Sequence, residues 1–215
     1  HVRSRRQRQM CIRDSSEKVF NMKKLFLILI LTLSFQSLTK ADDISDFEIE
    51  EMSVGESLLN YMDENSIIEK INSKSANYYP NNSFVVFSYK SEKFKIYDDL
   101  GIVINPNDKS YIIHSIEGTL YMNDCRDKQL EVVNELKVFF DRKTYEFLSS
   151  PNLNYIDDKT GESKVHYEDF YFNDNSAVRV ICWSLSKKFL DDGYKNSLAV
   201  AANSKYFMNW IKENM

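Results

Sequence analysis

The sequence predicts an α+β fold, an antiparallel sheet meander with helices packed on one face. Two observations carry this. From Phe84 onward, segments rich in aromatic and β-branched residues are separated by turn residues, the pattern of strands joined as hairpins. Segments with helical spacing of apolar residues stand before, between and after them. The order strand–strand–strand–helix occurs twice, which suggests a duplicated βββα unit.

The elements follow in order. Phe47-Glu48-Ile49-Glu50 alternates and reads as a short edge strand. Ser53-Val54-Gly55-Glu56 has the form of a capping box, with Glu56 reaching back to the Ser53 amide. It predicts a helix to about Met62, with Val54, Leu58, Tyr61 and Met62 inward. Ser66-Ile67-Ile68-Glu69 repeats the box and predicts a second short helix with Ile67, Ile68 and Ile71 on its apolar side. Residues 77–82, containing Pro80, form a loop.

The period then changes to two, with strands over 84–90, 93–97, 101–105 and 110–122 and a clear turn at Asn105-Pro106-Asn107-Asp108. Asp124 can cap a helix to about Arg142, whose apolar side is Leu130, Val133, Leu136, Val138, Phe139 and Phe140. Strands over 165–172 and 177–185 are joined by Asn173-Asp174-Asn175-Ser176, and a third covers 198–202. Ser204 opens a closing helix carrying Tyr206, Phe207, Trp210 and Ile211.

The N-terminal portion reads differently. Met22-Lys23-Lys24 precedes the apolar run Leu25-Phe26-Leu27-Ile28-Leu29-Ile30-Leu31-Thr32-Leu33, and a polar stretch then ends in Thr39-Lys40-Ala41. This is the layout of a secretory signal over 22–41, with cleavage expected between Ala41 and Asp42. A membrane-crossing helix needs about 20 mostly apolar residues. The run is shorter, so no stable membrane span is expected after cleavage; an uncleaved inner-membrane anchor is the alternative. Residues 1–21 resemble a non-native segment, because Met10-Cys11-Ile12-Arg13-Asp14-Ser15 looks like a translated sequencing adapter. The alternative is a basic arm made by Arg3, Arg5, Arg6 and Arg8. Residues 42–215 are left as a single exported α+β domain, placed in the periplasm.

Removing residues 1–41 leaves 19 of the 28 basic and 30 of the 32 acidic residues, a formal charge of −11 where the whole chain has −4. An acidic surface repels phosphates, so nucleic acid is excluded as a partner. The cysteines left in this region are Cys125 and Cys182, and export favours one disulfide between them. Two buried free thiols are the alternative. Their separation excludes a C-x-x-C redox motif.

Catalytic motifs are weak. His114 and His166 lie in strands with Glu117, Glu168 and Asp169 nearby, residue types able to hold a metal, but without a spacing that demands one. Asp157-Asp158-Lys159-Thr160-Gly161-Glu162 lacks the alternating oxygen ligands of a calcium loop and reads as a solvated turn. Gly55-Glu56-Ser57 is not a nucleophile elbow. No cofactor is expected. Aromatic residues are the remaining signal: Tyr167, Phe170, Tyr171, Phe172 and Trp183 on one hairpin, and Tyr78, Tyr79, Phe84, Phe87 and Tyr89 on another. They fill the core, or they face solvent and stack on ligands, and alternation allows both.

The run Phe47-Glu48-Ile49-Glu50-Glu51-Met52-Ser53-Val54-Gly55-Glu56-Ser57-Leu58-Leu59 resembles the start of an uncharacterised exported protein family of AT-rich marine bacteria of the SAR11 type. Tyr111-Ile112-Ile113-His114-Ser115-Ile116-Glu117-Gly118 and Asn209-Trp210-Ile211 fit the same family. The family usually carries Gly where Glu51 stands, a departure that argues against a tight turn before the helix. The resemblance implies export and no activity. A looser likeness, at the level of fold alone, is to small periplasmic modules of the β-lactamase-inhibitor-like type.

These readings point to a soluble binding module, monomeric to dimeric, whose partner is an envelope protein, a peptide or a small cationic ligand. The alternative is an envelope hydrolase with a His/carboxylate site. Non-reducing and reducing gels of the protein are expected to differ in mobility; two titratable thiols in the native, air-exposed protein would argue against the Cys125–Cys182 bond.

Overall fold

The computed structural model describes residues 44–215. The segment 1–21, the signal 22–41 and the Ala41–Asp42 cleavage position lie outside the described residues. Among the described residues there are eight strands: β1 (Asn77–Tyr78), β2 (Val85–Tyr89), β3 (Asp99–Ile104), β4 (Ile113–Tyr121), β5 (Tyr145–Asn154), β6 (Lys164–Phe172), β7 (Ala177–Ser184) and β8 (Ser197–Asn203). Four α-helices accompany them among the described residues: α1 (Glu64–Ile71), α2 (Arg126–Phe139), α3 (Lys187–Asp191) and α4 (Lys205–Asn214).

The strands form one open antiparallel sheet in the order β1-β2-β3-β4-β8-β7-β6-β5, an α+β architecture. Each half is a meander. The halves meet where β4 pairs with β8, from Ser115 opposite Asn203 to Tyr121 opposite Ser197.

Helices cover both faces, not one. On the first face, Val85, Phe87, Ile102, Val200, Val180 and Phe170 pack with Ile67 and Ile71 of α1 and Val133 and Leu136 of α2. On the second, Phe84 and Val103 pack with Phe207 of α4. Val165, Ile181 and Ala199 form a smaller cluster further along that face, where Phe189 of α3 meets Tyr155. The reason is visible in Phe84-Val85-Val86-Phe87, a continuous apolar run that needs cover on both sides.

Where local pattern and structure part, tertiary hydrogen bonds explain it. The capping box at Ser53 does form, with the Ser53 N–H donating to Glu56 Oε2 (3.3 Å). No α-helix follows it. Gly55 takes φ +90°, its N–H donates to the Ile113 carbonyl (2.8 Å), and the Ile113 N–H donates to the Glu56 carbonyl (2.8 Å). The segment is spent on the start of β4, and only a 3₁₀ turn at Leu58–Asn60 remains. The inward residues hold: Val54 and Leu58 are buried, Tyr61 and Met62 partly so. The second box shifts, since Asp63 rather than Ser66 caps α1, accepting from the Ser66 N–H (3.0 Å). Ile68 is exposed. In α2, Leu130 and Val138 also face solvent.

The edge strand at 47–50 reduces to one bridge, Ile49 with Met52. Glu50 and Glu51 turn the chain with φ 51° and 67°, a conformation usually given to Asn-Gly. The strand expected at 93–97 is absent for a linked reason. The Glu50 carboxylate accepts from the N–H groups of Lys95 (2.8 Å), Ile96 (2.6 Å) and Tyr97 (2.9 Å), and Glu51 pairs with Lys95. Charge-assisted bonds of this kind offset the left-handed backbone of the turn.

Nothing in the pattern of 145–154 marks a strand, yet it forms the edge strand β5. Pro151 and Asn152 (φ 60°) fall where the register with β6 shifts, between Ser150 and Leu153. An edge strand tolerates such a proline, and a bulge blunts the edge against further pairing. The turn at 173–176 forms as expected, with Asn175 at φ 72°. So does the cap of α4, where Ser204 Oγ accepts from the Phe207 N–H (3.3 Å).

The Tyr97 ring lies against Gly118 of β4, and a Cβ added there would stand 2.6 Å from it. Gly118→Ala is therefore expected to cost about 1–3 kcal/mol through overpacking, measured as a lower denaturant midpoint.

Candidate functional site

The sulfurs of Cys125 and Cys182 lie at disulfide-bonding distance, 2.00 Å, tying the start of α2 to β7. Polar anchors hold the same helix. Gln129 is fully buried and donates through Nε2 to the carbonyls of His166 and Val180, each at 2.8 Å. Arg126 Nη1 donates to buried Glu168 at 2.9 Å and to Gln129 Oε1 at 2.5 Å. Breaking such a pair strands a buried charge, so it fixes where α2 sits. It is occupied internally and leaves no open ligand position.

The two histidines are not brought together. His114 packs beside Phe84 (5.2 Å between ring centroids) and Tyr206 (5.1 Å), on the α4 side of the sheet. His166 alternates with Val165 and Tyr167 and so points to the other face, where its Nδ1 accepts from the Asn152 N–H (3.1 Å). Burial lowers the basicity of both, and the positive charge of Arg126 adds to the effect at His166. Among the described residues no group of three or more His, Cys, Asp or Glu is placed to hold a metal.

The acidic segment at 157–162 is more than a solvated turn. Asp158 is 5 % exposed. Its Oδ1 accepts from the Thr160 N–H (3.0 Å) and hydroxyl (2.6 Å), and its Oδ2 from the Ser163 N–H (2.9 Å) and hydroxyl (2.5 Å). The Ser163 bond, then that of Thr160, hold the carboxyl well below the usual range. Ser163 Oγ also accepts from the Ser186 N–H (2.8 Å), which ties the turn to the start of α3.

The second face of the sheet, between the α4 and α3 ends, offers the richest open chemistry. Register places Ser88, Gly101, Glu117, Ala201, Arg179 and Asp169 in one row across six strands. Small residues keep the row low, and the charged residues stand on it. Arg179 grips Asp169 through two bonds (Nε–Oδ1 2.6 Å, Nη2–Oδ2 3.1 Å), reaches the Tyr171 hydroxyl (3.3 Å) and lies over the Tyr167 ring (4.9 Å). Ser88 Oγ donates to Asp99 Oδ1 (2.6 Å), and Lys90 approaches Asp99 Oδ2 (3.5 Å). Burial pushes the Glu117 carboxyl above its ordinary value, while a hydrogen bond with Thr119 and the charge of Arg179 pull it down. Burial likewise raises Tyr79 and Tyr167, and both feel the Glu117 charge.

Toward α3 the row gives way to aromatic residues. Trp183 meets Tyr155 edge to face (5.4 Å, 88°), and Tyr155, Trp183, Leu185, Tyr194, Lys195 and Ser197 line a shallow cavity of about 190 Å³. The aromatic signal thus divides by burial and not by face alone: Phe84 on the second face and Phe87, Phe170 and Phe172 on the first are buried, and Tyr167, Tyr171 and Trp183 on the second are partly exposed. Sequence reasoning singled out Trp183, Tyr167 and Glu117 but missed Arg179, Tyr155 and Tyr194. Alternation along β7 could have placed Arg179 beside Trp183; Tyr155 and Tyr194 sit in loops, where no periodicity marks a face.

The chain matches no protein-family model, no curated protein and no solved structure.

A carboxyl raised by burial is favoured in its neutral form by the fold. Its cost is absent below the unfolded value, builds as pH rises from the unfolded value to the folded one, and is constant above it. Glu117→Gln is therefore expected to raise the melting temperature at pH 7 and to converge with the parent at acid pH; equal melting temperatures at pH 7 would contradict the burial of this carboxyl.

Proposed function

We propose that this is an exported, periplasmic binding module that acts without catalysis, and that its ligand surface is the second face of the sheet between α4 and α3. The observation that carries the reading is the tract of Arg179, Tyr167 and Trp183, partly exposed on that face. The opposite face is occupied by α1, α2 and the core. Its ligands are a peptide, an envelope protein or a small cation, in keeping with the acidity of residues 42–215.

Export is supported by the basic-then-apolar segment at 22–33 and by the pairing of Cys125 with Cys182, which suits an oxidising compartment. Among the described residues no helix is long and apolar enough to cross a membrane. A hydrolase built on His114 and His166 is disfavoured by their placement on opposite faces. Descent from a duplicated unit is proposed from two meanders, β1–β4 followed by α2 and β5–β8 followed by α4, although α3 interrupts the second between β7 and β8. Membership of the marine exported family belongs to the same proposal.

Two measurements test it. A reporter active only outside the cytosol, fused after Ala41, is expected to be active and to fall silent with Leu27→Arg and Leu29→Arg; activity that survives both changes would contradict export. In NMR titrations with short lysine- and arginine-containing peptides, shifts are expected at Tyr167, Arg179 and Trp183. Shifts confined to α2 and the first face would contradict the assignment of the surface.

A further inference from the structure

We propose that the cavity formed by Trp183, Tyr155 and Tyr194 binds a quaternary ammonium group. This rests on the reading of the second face as a ligand surface and names the ligand class for one part of it. Three observations converge.

The first is geometry. Trp183 and Tyr155 meet edge to face at 88°, and both line the cavity. Tyr194 lines the same cavity and is joined to Tyr155 through Phe189, with centroids 5.3 Å and 5.6 Å apart. Leu185 adds an apolar side chain, and Lys195 and Ser197 complete the lining. Three aromatic residues gathered around one cavity suit a compact, weakly hydrated cation. At about 190 Å³ the cavity has room for one small head group.

The second is what the neighbouring rings already do. Arg179 covers Tyr167 at 4.9 Å, and Lys195 covers Tyr121 at 4.8 Å. The chain thus supplies its own cations to the aromatic residues on either side. Among the described residues no lysine or arginine is placed over Trp183, Tyr155 or Tyr194.

The third is charge. Burial, and then the nearby Asp157 carboxylate, raise the Tyr155 phenol above its ordinary value, so a negative charge stands close to this aromatic residue. The acidity of residues 42–215 raises the local concentration of cations in general. Lys195 opposes this, because it lines the cavity while its ammonium is drawn over Tyr121. A cationic ligand therefore binds more tightly once that charge is removed.

The test follows the Trp183 indole N–H resonance of the purified protein during titration with choline. A parallel titration uses 3,3-dimethyl-1-butanol, which has the same shape without the charge. Choline is expected to shift the resonance and to bind about tenfold more tightly than the alcohol, a cation–π difference of ordinary size. Tyr194→Ala, at an exposed loop position, is expected to abolish the shift while leaving the circular dichroism unchanged. Lys195→Gln is expected to tighten choline binding. Equal affinity for choline and the alcohol would overturn the ammonium assignment but leave a ligand pocket in place. No shift with either would overturn the pocket itself, and the peptide titration would then decide the wider reading of the face.

Discussion

The pairing of β4 with β8 is the constraint on which the rest depends. Among the described residues it is the one strand pairing between the two meanders, and every other pairing joins strands of the same half. Gly118, Ala199, Ala201 and Ala202 stand in these two strands, so little side-chain bulk rises along it. Tyr97 occupies the space that Gly118 leaves on the first face. On the second face, Glu117, Ala201 and Arg179 align across the seam. Shifting the register by one residue would exchange the two faces, placing Glu117 in the core and Ile116 in solvent.

Two buried carboxylates are paired with arginines, Glu168 with Arg126 and Asp169 with Arg179, and the half-buried Glu50 carboxylate is held by three amides. Ion pairs of this kind gain little net stability against their desolvation. Their effect is positional: they decide where α2, the β6–β7 hairpin and the 95–97 loop lie. Glu117 differs, because its largest influence is burial rather than a paired charge. It stands midway along the row that crosses the second face.

Much of the fold was legible in the sequence where local pattern and tertiary role agree. The strands from β2 to β4 and from β6 to β8, together with α2, α4 and the turn at 173–176, all carry their own periodicity or turn residues. Legibility failed where backbone groups were claimed from a distance. Ser53 to Glu56 has a helix signature, yet the Gly55 N–H and the Glu56 carbonyl bond Ile113. Lys93 to Tyr97 has a strand signature, yet its amides bond Glu50. β5 hid behind Pro151 and Asn152, because an edge strand needs less from its sequence than a central one. The candidate site was half legible. Strand parity separates Trp183 and Tyr167 from Phe170 and Phe172, but Tyr155 and Tyr194 reach the cavity from loops that only the folded chain brings together.

If one seam unites the two halves, they should open together. Native-state hydrogen exchange measures this directly, amide by amide. The account predicts the slowest exchange at the paired amides of β4 and β8, with the inner amides of β3 and β7 sharing the same opening free energy. A markedly lower opening free energy for β6 and β7 than for β3 and β4, with β8 following β7, would contradict it, because the halves would then be separate units that only touch.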